Sequence, residues 1–286
     1  IPLRLVGSEM CIRDRYEESM ALLEEAGIRI PGGKRTLLVP ARNFPVEVLF
    51  LRDDDIPESV ASGVADVGIV GLNEVMEKRC PVGILKKLGF GKCRLSLAIP
   101  QDIDYQDRNW FSGKKIATSY PGILSDYLHK NGIVSDIHVI TGSVEIAPGI
   151  RLADAIFDIV SSGSTLVSNR LKEVETVVES EAVLIGTDSI SPEKRGILDE
   201  LLFRFDSVQA ADDKKYILMN VPQKKLNDVL SVLPGIKSPT VMPLADKEWC
   251  SVHTVLDEKC FWEIINRLKT AGAEGILVLD IEKMIL

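Results

Sequence analysis

Residues 154–166 constrain the fold of this 286-residue chain more than any other segment. The segment reads DAIFDIVSSGSTL, which predicts a short strand, a loop of small hydroxyl residues, and a helix that opens near Thr165. A strand, a tight turn and a helix in succession form the repeating unit of α/β folds. The segment therefore favours an α/β fold with a polar loop at one end of a strand.

This loop has the composition of a phosphate-binding turn. Its residues are Ser161, Ser162, Gly163, Ser164 and Thr165, whose amides and hydroxyls can donate hydrogen bonds to a phosphate at a helix start. The alternative is an ordinary strand–helix turn in which Ser162 or Ser164 caps the helix. The segment alone leaves both interpretations open.

Two carboxylates precede the loop, at Asp154 and Asp158. Residues i and i+4 of a strand share a face, so we expect both to aim at one ligand. A phosphate cradle beside carboxylates suits a sugar phosphate, because its hydroxyls need acceptors and its phosphate needs donors. Lys92 and Arg94, at the start of a predicted strand, could also reach a cleft.

Charge and cysteine content exclude several classes of protein. The net charge is −8 with scattered basic residues, which argues against a nucleic-acid-binding surface. The five cysteines form no CxxC pair and predict free thiols in a reducing cytoplasm. The apolar runs are too short to cross a bilayer. We therefore predict a cytoplasmic protein that binds small molecules and contacts neither nucleic acid nor membrane.

Predicted strands and helices alternate over residues 16–202, which indicates parallel α/β sheets. A weak echo between residues 64–69 and 152–157 suggests two similar lobes with a cleft between them, although chance is a fair rival. From about residue 206 the predicted order is βαββαβ, which is the ferredoxin-like pattern. Small domains of this kind often bind effectors, by analogy of fold.

The first fifteen residues do not fit the pattern that follows them. The run GSEMCIRDR at 7–15 resembles a translated sequencing adapter, so we predict that residues 1–15 are foreign and leave them out of the fold. The natural reading resumes in a predicted helix over 16–26, ended by Gly27. P-loop, dinucleotide and serine-hydrolase signatures are missing from the sequence, and His253 is predicted to be structural or at an interface.

Several long sequence blocks match a known family. They are GSVEIAP at 142–148, LADAIFDIVSSGSTL at 152–166, KIATSYP at 115–121 and GIKSPTVMPL at 235–244, together with residues 52–57, 66–73, 88–95 and 276–284. In these blocks the chain resembles the ATP phosphoribosyltransferase family, and the βαββαβ tail makes it similar to the long form. The resemblance covers residues 16–286.

The resemblance implies a glycosyl transfer in histidine biosynthesis. ATP and phosphoribosyl pyrophosphate would give phosphoribosyl-ATP and pyrophosphate, with Mg²⁺ bound through substrate phosphates and no protein ligand assigned to it. The residues implied in binding and catalysis are Ser161–Thr165 for the 5-phosphate; Asp154, Asp158 and Glu145 as catalytic carboxylates at the ribose; Arg52, Lys92 and Arg94 near the polyphosphates; and Asp66 and Gly71 on the opposite wall. No general base is assigned.

The resemblance also implies an architecture. Two lobes like those of periplasmic binding proteins would form the catalytic cleft, with residues 1–99 and 184–205 in lobe I and 100–183 in lobe II. Residues 208–286 would form a ferredoxin-like regulatory domain that binds histidine as feedback inhibitor through Asn220, Thr240 and Gly275 across a subunit interface. Long forms are homo-oligomers, as dimers or hexamers.

Two positions depart from the family pattern. In the family, the first strand ends in a loop that bears Lys, Gly and Arg and contacts the substrate, and here residues 1–15 stand in its place. The sheet would therefore lose or remodel an element, and the cleft would lose cations. Arg151 stands where the family usually has glycine. The alternative function is a non-catalytic, two-lobed binding protein for an anionic metabolite.

Overall fold

Three β-sheets organise the chain in a computed structural model, which describes residues 2–8, 13–31, 37–234 and 239–285. The chain divides into two compact units, Ile1–Glu200 with two sheets and Leu201–Leu286 with one. Residues 9–12, in the segment predicted to be foreign, and residues 235–238, in the family block at 235–244, lie outside the described residues.

The first sheet has the order β2-β3-β1-β4-β11-β5. Its strands are β1 (Leu3–Ser8), β2 (Leu38–Pro40), β3 (Val46–Leu51), β4 (Val67–Gly71), β5 (Gly83–Lys87) and β11 (Ala182–Gly186). Helices α1 (Arg13–Glu25), α2 (Ile56–Ala61) and α3 (Leu72–Lys78) alternate with these strands. Strands β3, β1 and β4 run parallel, as the alternation of strands and helices predicted.

The prediction that residues 1–15 stand outside the fold is wrong for the described part of that segment. Strand β1 lies between β3 and β4, and its Leu3, Leu5 and Val6 are at most 1% exposed. An inner strand is buried on both of its faces, and these apolar side chains suit that position. The sheet therefore keeps its central element.

Helix α1 is attached to the first sheet by a buried ion pair. Arg15 is 1% exposed, and its Nη1 donates to Oδ2 of Asp53 at 2.6 Å. Asp53 begins a 3-10 turn (Asp53–Asp55) after β3 and is also buried. Two guanidinium nitrogens of Arg15, Nε and Nη2, and the second oxygen of Asp53 have no hydrogen-bond partner among the residues that the structure describes. The pair is therefore incompletely satisfied.

The second sheet has the order β10-β6-β9-β7-β8. Its strands are β6 (Cys93–Pro100), β7 (Lys115–Thr118), β8 (Asp136–Val139), β9 (Ala155–Val160) and β10 (Leu171–Ser180), with helices α4 (Pro121–Lys130) and α5 (Ser164–Ser168) between them. Strand β6 pairs with β9 and β10, so the predicted lobe boundary at residue 99 is placed too late. The pattern of apolar residues predicted that β6 is a strand, but it did not indicate the sheet to which the strand belongs.

The chain passes between the two sheets twice, before β6 and after β10. These two crossing segments are hydrogen-bonded to each other, because the Leu88 amide donates to the Ala182 carbonyl and the Ala182 amide donates to the Phe90 carbonyl, both at 2.9 Å. Strand β11 then inserts between β4 and β5 and runs antiparallel to both. The first sheet is thus completed by a strand that follows the whole second sheet.

Helices α3 and α4 join the two sheets on one side of the cleft. The Glu77 carboxylate of α3 accepts hydrogen bonds from the Gly122 and Ile123 amides at 2.8 and 2.9 Å, which satisfies the start of α4. Arg79 donates to Asp126 at 2.7 Å in the same interface. The first-turn amides of α4 are therefore capped from the other lobe.

The second unit has the predicted ferredoxin-like order. Its elements are β12 (Lys214–Pro222), α7 (Leu226–Val232), β13 (Thr240–Pro243), β14 (Trp249–Asp257), α8 (Glu258–Ala271) and β15 (Glu274–Asp280), in the sheet order β13-β14-β12-β15. Helix α6 (Pro192–Gln209) begins in the first unit and ends in the second, so the predicted boundary near residue 206 falls inside a helix. Within the described ranges, every helix is too short or too polar to span a membrane.

Candidate functional site

The carboxyl ends of parallel strands from both sheets face a common cleft. Strand β3 leads to Arg52, β4 to Asn73, β7 to Ser119 and β9 to Ser161. Ligands of open α/β sheets characteristically bind at such carboxyl ends. Two cavities of about 470 and 460 Å³ lie here.

We call the first cavity the cationic cleft, and it is lined by Lys87, Lys92, Cys93, Arg94, Ser161 and Glu179, among others. The second, the tyrosine cleft, is lined by Arg52, Asp53, Asn73, Glu74, Tyr120 and Gly142, among others. The structure thus brings the predicted Lys92, Arg94 and Ser161 together, and places Arg52 in the neighbouring cavity. In the described part of the chain, Lys92 makes no ion pair, whereas Lys87 pairs with Glu181 at 3.0 Å.

The predicted phosphate loop lies between β9 and α5, as the sequence indicated. Gly163 has φ +79°, a left-handed conformation that glycine adopts at little cost, and it is the residue before α5. Gly163 itself offers no capping side chain, and the Ser164 amide at the helix start donates a long hydrogen bond of 3.5 Å to the Ser162 hydroxyl. The hydroxyls of Ser162 and Ser164 lie 2.9 Å from each other. Both interpretations, the phosphate-binding turn and the helix cap, therefore remain predictions for this loop.

Asp158 and Glu145 are the predicted carboxylates that lie near each other at the loop. Asp158 is in β9, and Glu145 is in a 3-10 turn (Val144–Ile146) packed on that strand. Burial raises the pKa of Asp158 to about 6; the Ile159 amide opposes this rise and the Glu145 charge adds to it. Asp158 can therefore exchange a proton near neutral pH.

Asp154 does not join them, which corrects the expectation that both aspartates aim at one ligand. It precedes β9, at the end opposite the loop, and four residues of strand span about 13 Å. Its carboxylate accepts the Lys115 amide at 2.9 Å, and its own amide donates to the Lys115 carbonyl. Asp154 is exposed and fastens the start of β7 to the start of β9.

Asp66 is likewise at the wrong end of its strand for the predicted role. It precedes β4 and accepts the Arg4 amide at 2.7 Å and the Lys194 ammonium at 2.8 and 2.9 Å. Gly71 ends β4 on the cleft side and is closely packed, since an added Cβ would lie 2.3 Å from Oδ1 of Asn73. Of the two, only Gly71 stands at the carboxyl edge where a ligand would bind.

Arg94 reaches the loop backbone. Its Nε and Nη2 donate to the two oxygens of Glu173, each at 2.6 Å, and its Nη1 donates to the Ser161 carbonyl at 3.2 Å. The Arg94 fork, with further donors from Ser96 and Thr176, lowers the pKa of Glu173 to about 2. Arg52 is more exposed and donates to Asp54 at 3.2 Å.

Sequence reasoning missed the buried polar group of the tyrosine cleft. The Tyr120 hydroxyl donates to Glu74 at 2.9 Å, and the Asn73 amide group contacts both. Burial raises the pKa of both Glu74 and Tyr120. Tyr120 lies within the KIATSYP block, which was the available signal, but Glu74 comes from the other lobe.

Arg151 has a left-handed backbone, with φ +60°. A side chain in this conformation costs about 1–2 kcal/mol, whereas glycine adopts it readily. The glycine that the resemblance implies at this position therefore has a backbone reason. Arg151 is exposed in the loop that leads to β9.

The residues predicted for histidine binding lie on one face of the third sheet. Asn220 of β12 is beside Gly275, whose ideal Cβ position is 3.3 Å from Nδ2 of Asn220. Thr240 of β13 pairs with His253 of β14, and β13 lies two strands from β12, which is about 10 Å. Between them, His253 lies 2.7 Å from the Tyr216 hydroxyl and 3.0 Å from the Ser251 hydroxyl.

Carboxylates at the loop suit a magnesium ion only in part. No cluster of three or more His, Cys, Asp or Glu side chains that could hold a metal occurs among the residues described. Mg²⁺ is commonly bound by one or two carboxylates together with substrate phosphates. Asp158 and Glu145, next to the loop predicted to bind phosphate, fit that mode.

Two family models match the chain. The model described as ATP phosphoribosyltransferase (HisG) matches residues 52–207, and the model of the HisG C-terminal domain matches residues 211–283. The first covers the two sheets that form the cleft from β4 onward, and the second covers the ferredoxin-like domain. Together they account for most of the chain.

Curated relatives and solved structures agree with these matches. An ATP phosphoribosyltransferase of Bacteroides fragilis is 69% identical over 271 residues, 95% of this chain and 96% of the relative. That of Cytophaga hutchinsonii is 57% identical over 269 residues, 94% of each chain.

Two solved structures share the fold alone. The ATP phosphoribosyl transferase (HisG:HisZ) complex from Thermotoga maritima has a TM-score of 0.60 at 24% identity, covering 71% of this chain and 98% of that one. A substrate-binding protein of an amino acid ABC transporter has 0.51 at 11%, covering 73% and 94%. The predicted likeness to periplasmic binding proteins is thereby confirmed. On its sequence and its domains, the chain belongs to the ATP phosphoribosyltransferase family of histidine biosynthesis.

Proposed function

We propose that the chain condenses ATP with phosphoribosyl pyrophosphate at the cleft between its first two sheets, giving phosphoribosyl-ATP and pyrophosphate. The observation that carries the proposal is the loop Ser161–Thr165 of small hydroxyl residues at the end of β9, with Asp158 beside it and Lys92 in the adjoining cationic cleft. The family assignment favours this enzyme over the non-catalytic binding protein, whose likeness here is one of fold.

The proposed roles follow from charge. The loop amides and hydroxyls hold the 5-phosphate, and Asp158 and Glu145 face the ribose. N1 of adenine attacks the anomeric carbon as pyrophosphate leaves, so positive charge develops on the sugar ring and is stabilised by the two carboxylates. Lys92 attracts the departing pyrophosphate. When bound through the substrate phosphates, Mg²⁺ would supply positive charge that offsets the charge of the leaving group.

We do not extend these roles to Asp154 or Asp66, whose carboxylates are engaged at the opposite strand ends. Arg52 is retained as a contact for the triphosphate of ATP, because it lines the tyrosine cleft and is well exposed. Gly71 lacks a side chain and so allows the wall of the cleft to pack closely at this point.

The test is formation of phosphoribosyl-ATP by mass spectrometry, with pyrophosphate release that requires both substrates. Asp158→Asn should lower kcat by about 10²–10³-fold, whereas Asp154→Asn should leave it within about twofold. The assay should use the chain as printed and a chain whose residues 1–15 are replaced by the N-terminal segment of the Bacteroides fragilis relative. Tight binding of one ligand without turnover in both proteins would refute the enzymatic proposal.

For regulation, we propose that histidine binds the third sheet near Asn220 and Gly275 and inhibits the reaction, with Thr240 as a more distant contact. Asn220→Ala should weaken inhibition about tenfold without changing kcat, as expected for loss of roughly one buried hydrogen bond. Ser231→Ala, on α7 in the same domain, serves as the matched control. Equal histidine sensitivity in the two variants would contradict this assignment.

A homo-oligomer, dimeric or hexameric, is part of the proposal. Strand β15 stands at the edge of its sheet with Leu277, Val278 and Leu279 exposed at 55, 43 and 49%. Exposed apolar edge strands are typical sites of strand pairing between chains. Light scattering after size exclusion measures the state directly, and a monomer at micromolar concentration would refute it. The four described cysteines are free thiols, which supports a cytoplasmic location.

A further inference from the structure

We propose that Glu173 is a positioning residue of the phosphoribosyl site, which acts by orienting Arg94 and, through Arg94, the first peptide of the phosphate loop. This inference rests on the proposed function. The contacts cross three strands, because Glu173 is on β10, Arg94 is on β6, and Ser161 directly follows β9. None of the sequence patterns included Glu173.

The first step is the fixing of the guanidinium group. Two parallel hydrogen bonds of 2.6 Å from Nε and Nη2 to the two Glu173 oxygens form a bidentate pair, which sets both the position and the plane of the Arg94 head. The side chains are 36% and 23% exposed, so the pair is partly shielded from water. Lysine could not reproduce this fork.

The second step is the fixing of Glu173 itself. Its Oε1 also accepts the Ser96 hydroxyl at 2.7 Å and the Thr176 hydroxyl at 3.1 Å. Ser96 is 1% exposed and sits on the inner strand β6. The carboxylate is therefore held by neighbouring strands of a sheet rather than by a loop, which is a rigid base for positioning.

The third step transfers this order to the loop. With Nε and Nη2 engaged, Nη1 points to the Ser161 carbonyl at 3.2 Å. The carbonyl of Ser161 and the amide N–H of Ser162 belong to one planar trans peptide and point in opposite directions. Holding the carbonyl therefore sets the direction of the Ser162 N–H, one of the proposed phosphate donors. Arg94 thus acts through the loop, with one N–H of each of its three nitrogens bound to a protein acceptor.

The arrangement predicts a particular kinetic signature. A loop that holds the 5-phosphate binds it equally before and during the reaction, so disorder of the loop raises KM more than it lowers kcat. We expect Glu173→Gln to raise the KM and the calorimetric Kd for phosphoribosyl pyrophosphate about tenfold, with kcat changed less than about threefold. If Glu173 had only a structural role, Glu173→Gln would lower the Tm without this selective rise in KM.

The matched control is Glu175→Gln on the same strand. Glu175 accepts hydrogen bonds from the Tyr105 hydroxyl at 2.8 Å and the Tyr127 hydroxyl at 3.4 Å. Its hydrogen bonds within the described ranges thus go to tyrosines and not to Arg94 or the loop, so its variant should bind phosphoribosyl pyrophosphate as the unsubstituted protein does. If Glu173 acts through Arg94, the double variant Arg94→Ala with Glu173→Gln should be no weaker than Arg94→Ala alone. If Glu173→Gln does not fold, Arg94→Lys tests the same contact and should give the same rise in KM.

The outcomes separate the inference from the proposed function. Unchanged Kd and KM in Glu173→Gln, or additive losses in the double variant, would overturn the positioning role while phosphoribosyl transfer stands. Binding of phosphoribosyl pyrophosphate that weakens in Glu173→Gln, without any product from ATP, would refute the transfer reaction and support the positioning role. If the protein without substitutions neither binds phosphoribosyl pyrophosphate nor forms product, both the positioning role and the transfer reaction would be overturned.

Discussion

The buried pair of Arg15 and Asp53 allows a sharp test of whether the N-terminal segment is part of the fold. We consider Arg15→Met, which removes the guanidinium and fills its space with an unbranched apolar side chain, and Asp53→Asn, which keeps the shape of the aspartate. In either variant the remaining buried group keeps its charge and loses the opposite charge that lay 2.6 Å away.

The magnitude follows from what the remaining group must do. Breaking a buried ion pair on one side costs about 3–5 kcal/mol. We therefore expect each single variant to lose about 3–5 kcal/mol of stability, because the remaining charge stays buried without its partner.

The double variant should behave differently from either single one. It removes both charges and also the two guanidinium nitrogens that have no partner, each of which costs about 1–3 kcal/mol while it is buried. We therefore expect the double variant to lose less than about 2 kcal/mol relative to the unchanged protein, because replacing a whole buried pair is often close to neutral.

The assay is urea denaturation of all four proteins at pH 7, followed by circular dichroism and fluorescence. A coupling energy of at least about 3 kcal/mol between the two substitutions is the expected result. If Arg15→Met and Asp53→Asn each cost less than about 0.5 kcal/mol, the size typical of surface substitutions, the integration of α1 into the first sheet would be refuted.

Three further predictions concern single contacts. Glu77→Ala removes the carboxylate that caps α4 and should cost about 1–2 kcal/mol of stability in urea denaturation, whereas Arg79→Ala, which breaks an exposed pair, should cost less than about 1; equal losses would contradict the cap. Arg151→Gly should stabilise by about 0.5–1 kcal/mol, because relief of the left-handed side chain exceeds the entropy cost of glycine, and a loss of stability would contradict the φ of +60°. Burial raises the pKa of Asp158 to about 6, so the folded protein holds a proton that the unfolded chain releases; stability relative to Asp158→Asn should therefore fall by up to about 3 kcal/mol as the pH rises from 4 to 6, and parallel stability–pH curves would exclude the shift.

Local chemistry was readable from the sequence, and direction along a strand was not. The run of small hydroxyl residues with Gly163 identified the loop, because few other residues suit a left-handed position before a helix. Asp154 and Asp66 adjoin correctly predicted strands, yet each stands at the amino end, where its carboxylate ties backbone groups together. Closeness in sequence to a predicted site is therefore weaker evidence of a functional role than a position at the carboxyl end of the strand.

Long-range pairing accounts for the other misses. Arg94 was named, but its partner Glu173 is 79 residues away, and no local period relates the two. Strand β6 was recognised as a strand and assigned to the wrong sheet for the same reason. In the ferredoxin-like domain the order of elements follows from periodicity alone, and there the prediction of the fold was confirmed.

The late arrival of β11 in the first sheet has a consequence for biosynthesis. During translation β5 leaves the ribosome before β11, the strand that must separate it from β4, whereas β6–β10 form a contiguous stretch from Cys93 to Ser180. Domains tend to fold as their chain becomes complete, and distant pairings wait for closure of the intervening loop. We therefore expect the second sheet to fold first on the ribosome, with the N-terminal strands held open as an unfinished sheet until residue 186 has emerged.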